Sequence, residues 1–126
     1  MEKNIINTSS APSPIGPYNQ AVLAGNTLFI SGKICIDQSS GTMKNKDIQE
    51  ETHQVMKNLK SILKEAGMNF SNVVKTTIFI TDMSQFATVN EIYGKYFEGD
   101  FPARETVQVS ALPKASNVEI SMIAFK

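Results

Sequence analysis

Two charged residues sit where an apolar strand does not ordinarily keep them. Arg104 stands in the run FPARETVQV (101–109), directly after Pro102 and Ala103. Glu119 stands in VEISMIAF (118–125), between Val118 and Ile120. A carboxylate inside an apolar strand must be paired, opened to a cleft, or protonated at a raised pKa. The bland alternative for each residue is an edge-strand position or one half of a plain salt bridge. Residue types and spacing alone name no substrate for them.

The remaining chemical vocabulary is short. His53, the only histidine, follows Glu50 and Glu51 in a helical pattern and reads as a solvated helix residue rather than a triad base or metal ligand. A single histidine also leaves nuclease chemistry by paired histidines without its second member. Cys35 lies between Ile34 and Ile36, with Lys33 as its nearest cation in sequence, and reads as a small buried hydrophobe. One Cys and one His make neither an internal disulfide nor the usual tetrahedral zinc site. No glycines fall in a G-x-G-x-x-G or G-x-x-x-x-G-K pattern, so a phosphate cradle is unsupported.

The elements that must position Arg104 and Glu119 follow from periodicity. Asn7 to Pro17 carries Ser, Pro and Gly at close intervals and reads as an extended loop. Tyr18 to Ala24 and Thr27 to Ile34 read as two strands joined by the Gly25-Asn26 turn. After a polar stretch from Asp37 to Lys46, a helix starts at Asp47, which has capping-box spacing to Glu50. Its apolar stripe runs through Ile48, Thr52, Val55, Met56, Leu59, Ile62, Leu63 and Ala66, and Gly67 stops it. Val73 to Ile80 is β-branched and aromatic, hence a strand. A second helix, capped at Asp82 or Ser84, buries Phe86, Val89, Tyr93, Tyr96 and Phe97 and is expected to end at Gly99. Ala103 to Val109 and Val118 to Phe125 are the closing strands.

The expected order is ββ-α-β-α-ββ, an α/β (α+β) two-layer sandwich with two helices covering a mixed sheet. That leaves the other sheet face bare, although VEISMIAF and VVKTTIFI are apolar on both sides. Another subunit is expected to cover it, in a homo-oligomer packed sheet against sheet.

Composition bounds the rest. At 126 residues the chain is expected to be one domain, 1–126. Twelve basic and twelve acidic residues balance, so the whole molecule has no strong pull toward phosphate backbones or anionic lipid. No apolar run approaches the roughly 20 residues of a membrane helix, and MEKNIINTSSAP lacks a signal-peptide core. The expectation is a cytoplasmic protein.

Several segments, in order and spacing, resemble one family. FPARETVQVSALPKASNVEI (101–120) is similar to the C-terminal signature of the Rid family, the reactive intermediate deaminases also called the YjgF family. PIGPYNQA (14–21), LFISGKI (28–34), VKTTIFITDM (74–83) and FATVNEIY (86–93) agree with its N-terminal loop, first core strand, central strand and second helix. The resemblance is strongest to the RidA branch.

That resemblance implies a chorismate-mutase-like domain, assembled as a homotrimer with clefts between subunits. It implies hydrolysis of 2-imino acids such as 2-iminobutanoate and 2-iminopropanoate to 2-keto acids and ammonia, without metal or organic cofactor. Arg104 would take the substrate carboxylate with its planar fork, and Glu119 would position and polarise the attacking water. Gly32 would bring a backbone N–H close to the substrate, Tyr18 would wall the cleft, and Asn90 and Thr106 would line it. A non-catalytic binder of keto or amino acids using the same cleft is the alternative, because one fold need not mean one function. An RNA-acting role sits poorly with zero net charge and no basic-aromatic stripe.

Two departures matter. Many relatives have G-Q-I-P after the first core strand where this chain has Gly32-Lys33-Ile34-Cys35, which brings a lysine near the cleft. Glu105 follows Arg104 directly, and strand alternation should point it to the opposite face.

Overall fold

Six strands form one mixed sheet in the computed structural model, which describes residues 2–126. They are β1 (Lys3–Ile6), β2 (Ala21–Ala24), β3 (Thr27–Lys33), β4 (Val73–Ile80), β5 (Ala103–Gln108) and β6 (Val118–Phe125). Their order across the sheet is β1-β2-β3-β6-β4-β5, so β6 is clasped between β3 and β4. Only β4 and β5 pair in parallel, as expected for strands joined through a helix. The helices are α1 (Ile48–Glu65) and α2 (Phe86–Gly94).

Alternation along the strands assigns the faces. Thr76, Ile78 and Ile80 of β4, and Val118, Ile120, Met122 and Ala124 of β6, are buried with Val55, Met56, Leu59, Ile62 and Leu63 of α1 in one core. The opposite face exposes Phe29, Val107 and Phe125, each more than 40% accessible, which is the bare apolar face anticipated from the strand sequences.

Three boundaries differ from expectation. An additional strand, β1, pairs antiparallel with β2, making the order βββ-α-β-α-ββ. Its four residues, KNII, are too few and too polar to show a period. β2 begins at Ala21 rather than Tyr18, because the chain before it is held in a loop: Tyr18 N–H donates to the Gly16 carbonyl (2.8 Å). α2 ends at Gly94, not Gly99. There the backbone tightens, with the Tyr96 N–H donating to the Tyr93 carbonyl (3.2 Å) and the Phe97 N–H to Gly94 (3.3 Å). This turn throws Tyr96 and Phe97 against Phe70, at ring-centroid distances of 5.6 and 5.4 Å.

α2 is not capped at Asp82 or Ser84: it starts at Phe86 after Gln85, and Asp82 instead accepts the Ser84 N–H (3.0 Å) in the short turn Met83–Gln85, whereas the caps of α1 follow the sequence more closely. Asp47 accepts the Glu50 N–H (2.8 Å), but Glu50 reaches back to the Lys46 N–H (3.0 Å) rather than to Asp47, so the box is only half formed. Gly67 adopts φ +71° just past α1, a left-handed position that glycine takes without strain.

Candidate functional site

Glu119 lies on the open face of β6, opposite Phe79 of β4 and beside Gly32 of β3. The β3–β6 register slips between Ile30 and Lys33, and this bulge presents Gly32 to the carboxylate. A Cβ on Gly32 would meet the Glu119 Oε2 in collision, with Cδ at 2.8 Å and Cγ at 3.0 Å. An added methyl here would therefore have to displace the Glu119 carboxylate. The two residues belong to a small cleft of about 40 Å³ whose other walls include Pro12, Ile15, Tyr18 and Lys33.

The loop that closes this cleft is fastened by Gln20, whose side chain is buried. Its amide nitrogen donates to the carbonyls of Thr8, Ala11 and Pro12 (3.1, 3.2 and 2.9 Å), while its oxygen accepts the Thr8 N–H (2.7 Å). Tyr18 is 43% exposed, and its hydroxyl accepts the Ile15 N–H (3.3 Å), so it shapes the rim from a loop rather than from a strand.

Electrostatics in the cleft pull two groups away from their ordinary behaviour. Burial raises the Glu119 pKa, against an opposing pull from Lys33. Burial likewise pushes the Lys33 amine down to about 8, against the favourable field of Glu119. Among the described residues neither side chain has a hydrogen-bond or ion-pair partner; the ion pairs are Lys75–Glu105 and Lys95–Glu91.

Another carboxylate supports this strand from behind. Glu51, fully buried in the first turn of α1, accepts from the Asn117 N–H (2.6 Å), the Asn117 side-chain amide (2.8 Å) and the Val118 N–H (3.2 Å). It anchors the entry to β6 one residue before Glu119. Sequence reasoning passed over it, although a signal was present: Glu51 falls three residues after Ile48 and four before Val55, on the apolar stripe itself.

Arg104 is elsewhere. It pairs in register with Thr76, and Thr106 with Ile78, so both lie on the helix-bearing face of edge strand β5. The Arg104 Nη1 donates to the Asn90 Oδ1 (2.6 Å), and its guanidinium carbon lies 5.2 Å from the Tyr93 ring centroid and 5.6 Å from that of Phe86. Tyr93 is itself fixed by donating to Thr76 (3.0 Å). The result is a shelf on α2 and β5 that holds the guanidinium in one orientation. The buried Thr106 hydroxyl has no hydrogen-bond partner among the described residues. Glu105 points to the other face and pairs with Lys75 (3.2 Å), and the β4–β5 register runs without a bulge, so it does not neutralise Arg104.

The six residues singled out from the sequence thus fall into two groups. Tyr18, Gly32 and Glu119 meet in the open-face cleft, whereas Asn90, Arg104 and Thr106 meet on the helix-side shelf. Within one protomer the sheet separates them. Away from both, Cys35 is fully buried and burial raises its thiol to about 11, in keeping with a packing role. His53 is not simply solvated: its Nδ1 hydrogen-bonds the Tyr96 hydroxyl (2.8 Å), tying α1 to the turn after α2.

Comparisons with known proteins agree with this architecture. Residues 8–126 match the family model described as endoribonuclease L-PSP. The human 2-iminobutanoate/2-iminopropanoate deaminase is 50% identical over 124 residues, 98% of this chain and 90% of that protein. Among solved structures, the Yersinia pestis protein YyfA of the conserved Rid protein family is 48% identical with a TM-score of 0.96, covering 99% of this chain and 100% of its own. The E. coli protein TdcF with bound serine is 39% identical, with a TM-score of 0.94 and 98% coverage of both chains.

Proposed function

Because the chain belongs to the Rid family, the family of the endoribonuclease L-PSP model, we propose that it hydrolyses 2-imino acids such as 2-iminobutanoate and 2-iminopropanoate to 2-keto acids and ammonia. The observation that carries this reading is the division of complementary groups between two faces of one sheet. A carboxylate-binding guanidinium and a titratable carboxylate are both present, each in a prepared setting, yet neither setting is a whole site.

The reading therefore includes a homotrimer, with residues 1–126 as one domain per subunit. The Arg104 shelf of one protomer faces the Glu119 cleft of its neighbour, and the exposed Phe29, Val107 and Phe125 face is covered. The substrate carboxylate lies on the Arg104 fork, which Asn90 and the rings of Phe86 and Tyr93 hold in place. The C=N carbon then faces Glu119, and the absent side chain of Gly32 leaves room for it. Glu119 in its ionised form orients a water and accepts one proton as the water oxygen bonds to the imine carbon. The nitrogen of the resulting carbinolamine takes up a proton and leaves as ammonia, and the carbonyl of the 2-keto acid remains. An imine is already electrophilic, so orientation and modest base assistance account for the catalysis required.

No helix among the described residues is long and apolar enough to cross a membrane, and we assign the reaction to the cytoplasm. The nuclease activity in the family model's description is not part of this reading. The chain's charges balance, and its single histidine is engaged with Tyr96.

The test is release of 2-ketobutyrate from imine generated in situ by a threonine dehydratase, with semicarbazide competing for the imine. The protein should accelerate release, and Arg104→Ala should lower kcat/KM by about a hundredfold or more. Binding of 2-ketobutyrate by the folded protein without any acceleration would replace the enzyme with a non-catalytic binder of keto acids.

A further inference from the structure

Lys33 has no part in the mechanism above, yet it occupies the same cleft. Among the described residues it is the only buried lysine, 6% exposed. The other buried acidic or basic side chain among the described residues is well partnered: Glu51 accepts three hydrogen bonds. The Lys33 ammonium has none, and its one charged neighbour of consequence is Glu119, which is not close enough to form an ion pair. The surrounding walls, Pro12, Ile15, Ile34 and Ile36, are apolar. An ammonium in such a place is costly, and burial pushes its amine down to about 8, so a substantial share is neutral near physiological pH.

A neutral, desolvated amine beside a carboxyl group that retains its proton more readily than usual is the pairing that imine formation requires. The amine supplies the nucleophile and the carboxyl supplies the acid that removes water. We propose that Lys33 is a nucleophilic amine that condenses with the C2 carbonyl of 2-keto acids in this cleft, forming a Schiff base. This rests on the reading that the cleft takes 2-imino and 2-keto acids.

The step balances without a co-reactant. The Lys33 nitrogen lone pair bonds to C2, and the C=O π electrons pass to oxygen, which takes a proton. Glu119 then protonates the departing hydroxyl. The nitrogen lone pair forms the C=N bond as water departs with one hydrogen from the amine and one from Glu119, and the second hydrogen of the amine returns to the Glu119 carboxylate. A 2-imino acid reaches the same adduct when its own nitrogen departs as ammonia in place of water. Hydrolysis of the adduct then returns Lys33 and the 2-keto acid.

The experiment is reductive trapping of the intact protein. Incubation with 2-ketobutyrate and sodium cyanoborohydride at neutral pH converts a Schiff base into a stable 1-carboxypropyl amine, which peptide mass spectrometry locates. Lys33 should be labelled at least about tenfold faster than the exposed Lys57 and Lys60. Butanone, which lacks the carboxylate, should lose most of that preference. Labelling of Lys33 no faster than Lys57 and Lys60 overturns the proposal, and equal labelling by butanone overturns its assignment to keto acids. Imine turnover measured on the same preparation separates the two readings. Turnover without Lys33 labelling leaves the deaminase and removes the Schiff base, whereas labelling without turnover does the reverse.

Discussion

The shelf that carries Arg104 and the cleft that carries Glu119 are built on opposite principles. The shelf fixes a guanidinium by a hydrogen bond to Asn90 and by the faces of two rings, so its geometry is set while its charge is constant. In the cleft, Glu119 and Lys33 have no such partners, and burial moves both titrations toward the working range. One region is arranged to hold, the other to exchange protons. The sheet holds the two groups on opposite faces of one protomer, and in the proposed trimer they would meet only across a subunit boundary.

The comparison breaks most decisively if both groups are shown to act within one protomer. Arg104→Ala and Glu119→Gln should each abolish most turnover, but co-refolding equal amounts of the two variants should restore activity at about a quarter of the sites. That fraction is the chance that an intact arginine from one subunit faces an intact glutamate from another. A mixture as inactive as its parts would refute the shared site.

Glu119→Gln alone should lower kcat by about a hundredfold or more. In the unmodified protein, activity should fall as pH drops through the raised Glu119 pKa, because the proposed base becomes protonated. The variant has no such group, so its residual rate should lose this acid limb in a pH–rate profile.

Gly32→Ala sharpens the contrast further. The atoms an added methyl meets belong to the flexible Glu119 side chain, not to backbone, so stability should drop by less than about 1 kcal/mol. Displacing the carboxylate should still cost about tenfold in kcat/KM. A thermal melt beside steady-state kinetics checks both halves.

Lys33→Met acts on stability with the opposite sign. The folded chain binds the Lys33 proton less tightly than the unfolded chain, since its amine lies near 8 instead of 10.5. The resulting penalty is greatest below pH 8 and fades as pH rises toward the ordinary lysine range. Removing the amine should therefore stabilise the fold at neutral pH by roughly 1–3 kcal/mol, with the advantage shrinking above pH 8. Melting temperatures of both proteins across that range read it directly.

Much of this was legible beforehand, for identifiable reasons. The α1 stripe, the β-branched run of β4 and the glycine after α1 each express a local rule, and each element stands where its rule put it. The bare apolar face could be read from β4 and β6 because both strands are apolar on both sides. β1 could not, because KNII acquires strand character only by pairing with β2. The end of α2 was misplaced because Tyr96 and Phe97 continue its apolar period while serving the Phe70 cluster from a turn. The site was legible as residue types but not as an arrangement. That Arg104 and Glu119 occupy opposite faces depends on the register of β5 and β6 against β4, which sets Arg104 beside Thr76 and Glu119 beside Phe79, and no single strand's periodicity encodes it.

The clasped position of β6 also reaches back to how the molecule comes into being. The strand that arrives last along this chain fills the middle of the sheet, so β3 and β4 have no partner between them until residues 118–125 leave the ribosome. Their apolar edges must wait in that gap, and the contacts that close it join distant parts of the sequence, which slows folding and invites wrong pairings. Glu119 travels on that strand and is latched by Glu51 at its entry. The acidic group of the cleft is thus among the last pieces to be seated, and a nascent chain has no working cleft before its sheet is whole.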